Sequence, residues 1–138
     1  MAVRLRLKIS VGDRSVEAVA LLSSGYEAST PQLLVPIGLA RELGLWPPEG
    51  AHEVVLDTAG GPLRAWHYPR IAEVSIVAEG APQRTVATDI VVSPLADEPL
   101  INDMLAEELE LVVESFGRGL WRFRWEPAGK LRESEVRP

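Results

Sequence analysis

The sequence contains no cysteine. This removes disulfides, thiolate metal sites and a cysteine nucleophile from consideration, and it fits a reducing, cytoplasmic setting. Basic charge is also in deficit: 14 Lys and Arg against 20 Asp and Glu leave a formal charge of −6. Nucleic acid is therefore not an expected partner, because binding a phosphate backbone calls for a basic face. No apolar run approaches the roughly 18 residues of a membrane helix. The opening "MAVRLRLKIS" alternates apolar with basic residues where a secretory signal would carry an unbroken apolar stretch, so no membrane association is expected. Methionine is scarce while Arg, Glu and Pro are plentiful, a balance associated with heat-adapted proteins.

What is present suits one domain. The 138 residues, 46% apolar and 25% charged, can build one hydrophobic core. "VRLRLKI" alternates with period two, "SVGD" supplies turn residues and "RSVEAVALL" resumes an extended apolar run, which predicts a β-hairpin from Val3 to Leu22. A proline-bearing loop and "PIGLARELGL" follow, the latter a short helix at best, with Gly44 placed to cap it. "HEVVLDTAGGPLRAWHYPRI" sets two apolar segments around Ala59-Gly60-Gly61, a hairpin with a flexible tip. "AEVSIVAEGAPQRTVATDIVV" repeats strand, turn, strand. "PLINDMLAEELEL" is the one convincing helix, with Leu100, Met104, Leu105 and Leu109 on one face. In "LVVESFGRGLWRFRWE" a strand and turn lead to a closing strand in which Trp121, Phe123 and Trp125 alternate with Leu120, Arg122 and Arg124. The trailing "PAGKLRESEVRP" predicts a mobile tail over 127–138, leaving 1–126 as the domain.

The two halves echo each other. The first hairpin ends in "SSG" and is followed by "LARELGL"; the strands of "AEVSIVAEGAPQRTVATDIVVSP" are followed by "LAEELEL". Each half reads as strand, turn, strand, polar loop, helix, which predicts a pseudo-twofold pair with the "SSG" and "VSP" loops in corresponding places near the centre.

These pieces resemble the retropepsin-like aspartic peptidases, the single-domain relatives of retroviral protease. In that family an apolar strand leads into Asp-Thr/Ser-Gly, and an "A..LGL" element, a glycine-bearing flap hairpin and a helix opening on Gly-x-Asp-x-Leu come after it. The matching stretches are "AVALLSSG", "LARELGL", "LDTAGGPL" and "LINDMLAEELEL", and they span Val3 to Trp125. The resemblance implies an all-β, closed retropepsin-like barrel with one short helix in its second half. It also implies a homodimer whose axis passes near Ser23 to Gly25, and a flap at Thr58, Ala59, Gly60 and Gly61 closing over extended peptide. Two departures stand out. Ser23 occupies the position of the family's catalytic Asp, and either Asn102 sits where its helix opens with Gly or one residue is missing there. In the family two chains each give one carboxylate and the pair shares a proton. A serine hydroxyl can hold a water but is far too weak a base to deprotonate it. Ser24 and Gly25 match the rest of the motif, and the Ser24 hydroxyl is of the kind that bonds across the dimer axis in the family. Glu27, by the same likeness, would pair with an arginine and brace the loop, the alternative being a solvated loop carboxylate.

The resulting expectation is a catalytically silent homologue that binds peptide or unfolded protein in a dimer cleft without a cofactor or metal. Its alternatives are an active endopeptidase family whose Asp was replaced in this chain by mutation or engineering, and a structural dimer module without a ligand cleft. Other chemistries are weaker. Asp57 in "VVLDTAGG" imitates the motif but follows the "A..LGL" element and carries an extra alanine. No Gly-x-Ser-x-Gly elbow supports Ser23 or Ser24 as a nucleophile helped by His52 or His67. His52, Glu53 and Asp57 do not have the spacing of a metal site. Trp46, Trp66, Trp121 and Trp125 suit the core and dimer edges, with Trp66 near enough to the flap to contact a ligand.

Overall fold

A computed structural model describes residues 2–138. The first hairpin forms as the alternation requires: β1 (Arg4–Val11) buries Leu5, Leu7 and Ile9 and turns Arg4, Arg6 and Lys8 outward, pairing antiparallel with β2 (Arg14–Leu22). After β3 (Gln32–Val35) comes α1 (Ile37–Glu42). It ends in a Schellman arrangement, Gly44 N donating to Arg41 O and Leu45 N to Ala40 O, with Gly44 at φ 77°.

The hairpin of β4 (His52–Thr58) and β5 (Gly61–Ile76) leads to β6 (Val86–Val92), β7 (Leu100–Ile101) and α2 (Asp103–Glu108). Six strands close in the circular order β1-β2-β7-β3-β6-β5 and back to β1, with β4 attached outside on β5. The molecule is thus mostly β, around a closed six-stranded barrel. Two of its pairings are parallel, β2 with β7 and β3 with β6, while β3 and β7 run antiparallel. The barrel interior is filled by alternate residues of every strand, and Leu39, Leu43 and Leu105 of the two helical segments cover its ends. A separate three-stranded sheet is built from β8 (Leu111–Ser115), β9 (Leu120–Phe123) and β10 (Arg132–Glu133).

Several elements differ from the sequence expectation. The helix after Pro99 is no longer than α1, because Leu100 and Ile101 are held in ladders with β2 and β3 before Asn102 caps the turn. There are two short helices rather than one. The flap strand and the next barrel strand are a single strand, β5, bent by a register shift between Tyr68 and Ala72 where Arg70 adopts φ 48°. β9 stops at Phe123, and Trp125 leaves the alternation to stack on the Phe123 ring at 5.2 Å while remaining 52% exposed.

The largest difference lies in 127–138, where composition suggests a mobile tail. β10 pairs with β9, and Glu135 N donates to Arg4 O across the barrel mouth. Arg132 anchors the segment. Its guanidinium makes two 2.9 Å bonds to the Glu126 carboxylate and lies 5.1 Å from the Phe123 ring centre. Glu126 also accepts from Phe123 N at 2.9 Å, so a polar-looking tail hides one buried, bidentate pair.

The Arg132 bonds, helped by the one from Phe123 N, hold the Glu126 carboxyl down at about 2 against the cost of burial. A carboxyl lowered on folding contributes stability above its unfolded pKa and loses it as pH falls toward the folded value. The clamp is therefore complete above pH 4.5 and lost as pH falls from there toward about 2. Arg132→Ala should cost about 3 kcal/mol at neutral pH by leaving the buried Glu126 charge unpaired. Hydrogen exchange should then speed up in 127–135 and β9; unchanged exchange there would refute the clamp.

Candidate functional site

The centre of the barrel is organised by two equivalent loops. β2 runs into Ser23, whose N–H donates to Ile101 O at 3.0 Å; β6 runs into Ser93, whose N–H donates to Val35 O at 3.1 Å. Each loop then closes the same way, Tyr26 N to Ser23 O and Ala96 N to Ser93 O. The partners match too, since Val35 and Ile101 each precede the residue that opens a six-residue helix, Pro36 and Asn102. The pseudo-twofold read from the sequence is thus a set of paired backbone bonds. The two loops differ in exposure. Ser93 is fully buried and accepts from Leu95 N, whereas Ser23 is half-buried and faces a cleft.

This cleft, about 710 Å³, brings Ser23, Gly25, Tyr26 and Glu27 opposite Val55 to Ala59 of the β4–β5 hairpin, over a floor that includes Leu34 and Leu100. Of the residues singled out from sequence, Ser23, Gly25, Glu27, Asp57, Thr58 and Ala59 meet there. Ser24 is exposed and does not line it, and Gly60 and Gly61 lie at the hairpin tip beyond it. A side chain at Gly25 would meet nothing in this chain, so no intrachain contact requires glycine there. Glu27 makes no ion pair among the described residues; the expected arginine brace is not formed, and the carboxylate borders the cleft instead.

The lining from Val55 to Ala59 is continuous. A strand whose consecutive residues border a cavity presents its edge rather than one face. The sheet order agrees, because β4 pairs only with β5 and its other edge carries no strand. The inward face of the hairpin carries Val54, Leu56 and Ala65, packed with Leu34, Val91 and Leu100 in a small second core. The outward face carries Glu53, Val55, Asp57 and Arg64, with Arg64 bonded to Glu53 at 2.6 Å.

Asp89 holds the β4–β5 hairpin to the barrel. Though only 3% exposed, its carboxylate accepts from Thr30 Oγ1 at 2.7 Å, Arg70 N at 2.8 Å and His67 Nε2 at 2.8 Å. Burial pushes the Asp89 carboxyl up, but the bond from Arg70 N, those from His67 and Thr30, and the His67 charge outweigh it and leave the group below its ordinary range. All three donors cluster at the bend of β5 and the start of β3. Tyr26 donates its hydroxyl to Gln32 Oε1 at 2.8 Å. Burial, with the Asp89 charge behind it, pushes the phenol up, so it lines the cleft as a neutral donor. Asn102 is fully buried: its Oδ1 accepts from Gln32 N and Leu105 N, and its Nδ2 donates to Thr30 O.

The rival chemistries lack their geometry. His52 and His67 face each other across β4 and β5, His67 is engaged by Asp89, and neither borders the cleft, so Ser23 has no histidine beside it. His52 and Glu53 point to opposite faces of β4, and no group of His, Asp and Glu that could hold a metal occurs among the described residues. No helix among them is long and apolar enough to cross a membrane.

Sequence reasoning passed over Asp89 and the structural task of Asn102. The signal for Asp89 was a carboxylate inside the apolar run "VATDIVV", where an acid is costly unless bonded. No protein-family model matches the chain, and no curated protein matches it significantly.

Asp89→Asn should destabilise the fold by about 1–3 kcal/mol, since one amide oxygen cannot satisfy three donors. Amide exchange should accelerate in Gly61–Tyr68 more than in β1. With a folded pKa below 3.8, this contribution is complete above that value and declines as pH falls through the lower folded one. Equal acceleration in Gly61–Tyr68 and β1 would show that Asp89 stabilises the whole barrel rather than the bend.

Proposed function

We propose that this chain is a retropepsin-like aspartic-peptidase homologue, catalytically silent as written, that binds an extended peptide or unfolded protein segment in a cleft completed by a second copy. The observation that carries the reading is the meeting of the Ser23 loop with the unpaired edge of β4 across one open cleft. An extended segment laid there would hydrogen-bond to β4 as an added strand, and alternate side chains would drop onto Leu34 and Leu100. Gly25, unexplained within one chain, and the exposed Ser24 hydroxyl beside it are the groups a symmetry mate would meet.

Silence follows from chemistry. Ser23 has no histidine beside it and its hydroxyl is too weak a base to activate water, and loss of general acid-base help costs about 10² to 10⁴-fold. A structural dimer module would call for a filled cleft, and this one is open at about 710 Å³.

Restoring the carboxylate is the direct test. Ser23→Asp should acquire hydrolysis of unfolded protein between about pH 3 and 7, where a coupled dyad can be singly protonated, and a transition-state mimic should block it. The chain with Ser23 should bind the same substrates without cutting them. It should sediment as a dimer. Cleavage by the serine form would overturn the silent reading, and a strict monomer would remove the shared cleft.

A further inference from the structure

Which peptide the cleft takes can be read one step further, on the condition that strand addition to β4 is correct. The hairpin register places Val55 and Asp57 on one face of the free edge and Leu56 on the other. An added strand inherits this alternation, since cross-strand neighbours share a face. One set of its side chains turns inward toward Leu56, Leu34 and Leu100, which asks for apolar residues. The other set turns outward beside Asp57.

The charge that lines the cleft is of one sign. Asp57 makes no ion pair among the described residues, and Glu27 borders the same cleft from the opposite wall, likewise unpaired. Arg64, on the outward face of the hairpin, is held by Glu53 at 2.6 Å, and Arg70 lies at the bend of β5 outside the cleft lining. No lysine, arginine or histidine lines the cleft. We propose that the cleft selects extended segments in which a lysine or arginine stands between two bulky apolar residues, with the apolar pair facing inward and the cation facing Asp57 and Glu27.

The probes are three labelled peptides of sequence Thr-Leu-X-Leu-Thr, with X as Lys, Gln or Glu, titrated by fluorescence anisotropy into the full chain at low and high salt. The expected order is Lys tighter than Gln tighter than Glu, with about fivefold between the extremes at low salt and a narrower spread at high salt. Asp57→Asn should compress the order and Asp57→Lys should invert it. Both changes fall on an exposed strand position, and circular dichroism checks that the fold is kept. Glu27→Gln should give a smaller compression. Equal affinity for all three peptides, or an order indifferent to Asp57, overturns the selectivity while leaving peptide binding intact. Failure of all three to bind overturns strand addition itself, and the selectivity with it.

Discussion

The molecule depends on two backbone hydrogen bonds that cross its centre, from Ser23 N to Ile101 O and from Ser93 N to Val35 O. Each ties the end of a strand in one half to the strand that precedes a helix in the other. Parallel pairing cannot be made by a tight turn, so β2 with β7 and β3 with β6 force the halves to interpenetrate. The consequence is a closed barrel in which neither half has a complete sheet alone. Ser23 is held at the centre because its own amide is part of that crossing.

The β4–β5 hairpin is the second dependent feature. It is built on the overhanging half of β5, and the strand can leave the barrel because Arg70 takes a left-handed conformation at the bend. A non-glycine residue there carries strain, and Asp89 offsets it by binding Arg70 N and the neighbouring His67 and Thr30. Position of the β4 edge over the Ser23 loop thus rests on a buried carboxylate far along the chain. The tip is free of such bonds beyond those of Thr58 to Gly60 and Gly61, which leaves it the part best able to move.

Much of this arrangement was legible. Alternation in "VRLRLKI" sets β1, and the parallel between "LARELGL" and "LAEELEL" marks two equivalent turns ending at Gly44 and Glu110. The echo extends to the loops, where Ser23 and Ser93 take matching bonds. Periodicity was less informative where one stretch served two neighbours. "LIN" reads as the start of a helix because its apolar residues fall on the helical face, yet the ladders with β2 and β3 claim Leu100 and Ile101 as strand. Composition misled in 127–138, where a single pair, Arg132 with Glu126, docks a polar segment.

Local pattern determined the strands, the turns, the repeat and the absence of a carboxylate at Ser23, because these follow from side-chain period and residue type alone. Tertiary structure decided what faces what: the free edge of β4 over Ser23, Glu27 bordering the cleft unpaired, and Asp89 at the bend. Those relations join residues tens of positions apart, and their cost is settled by burial and by hydrogen bonds that no local window contains.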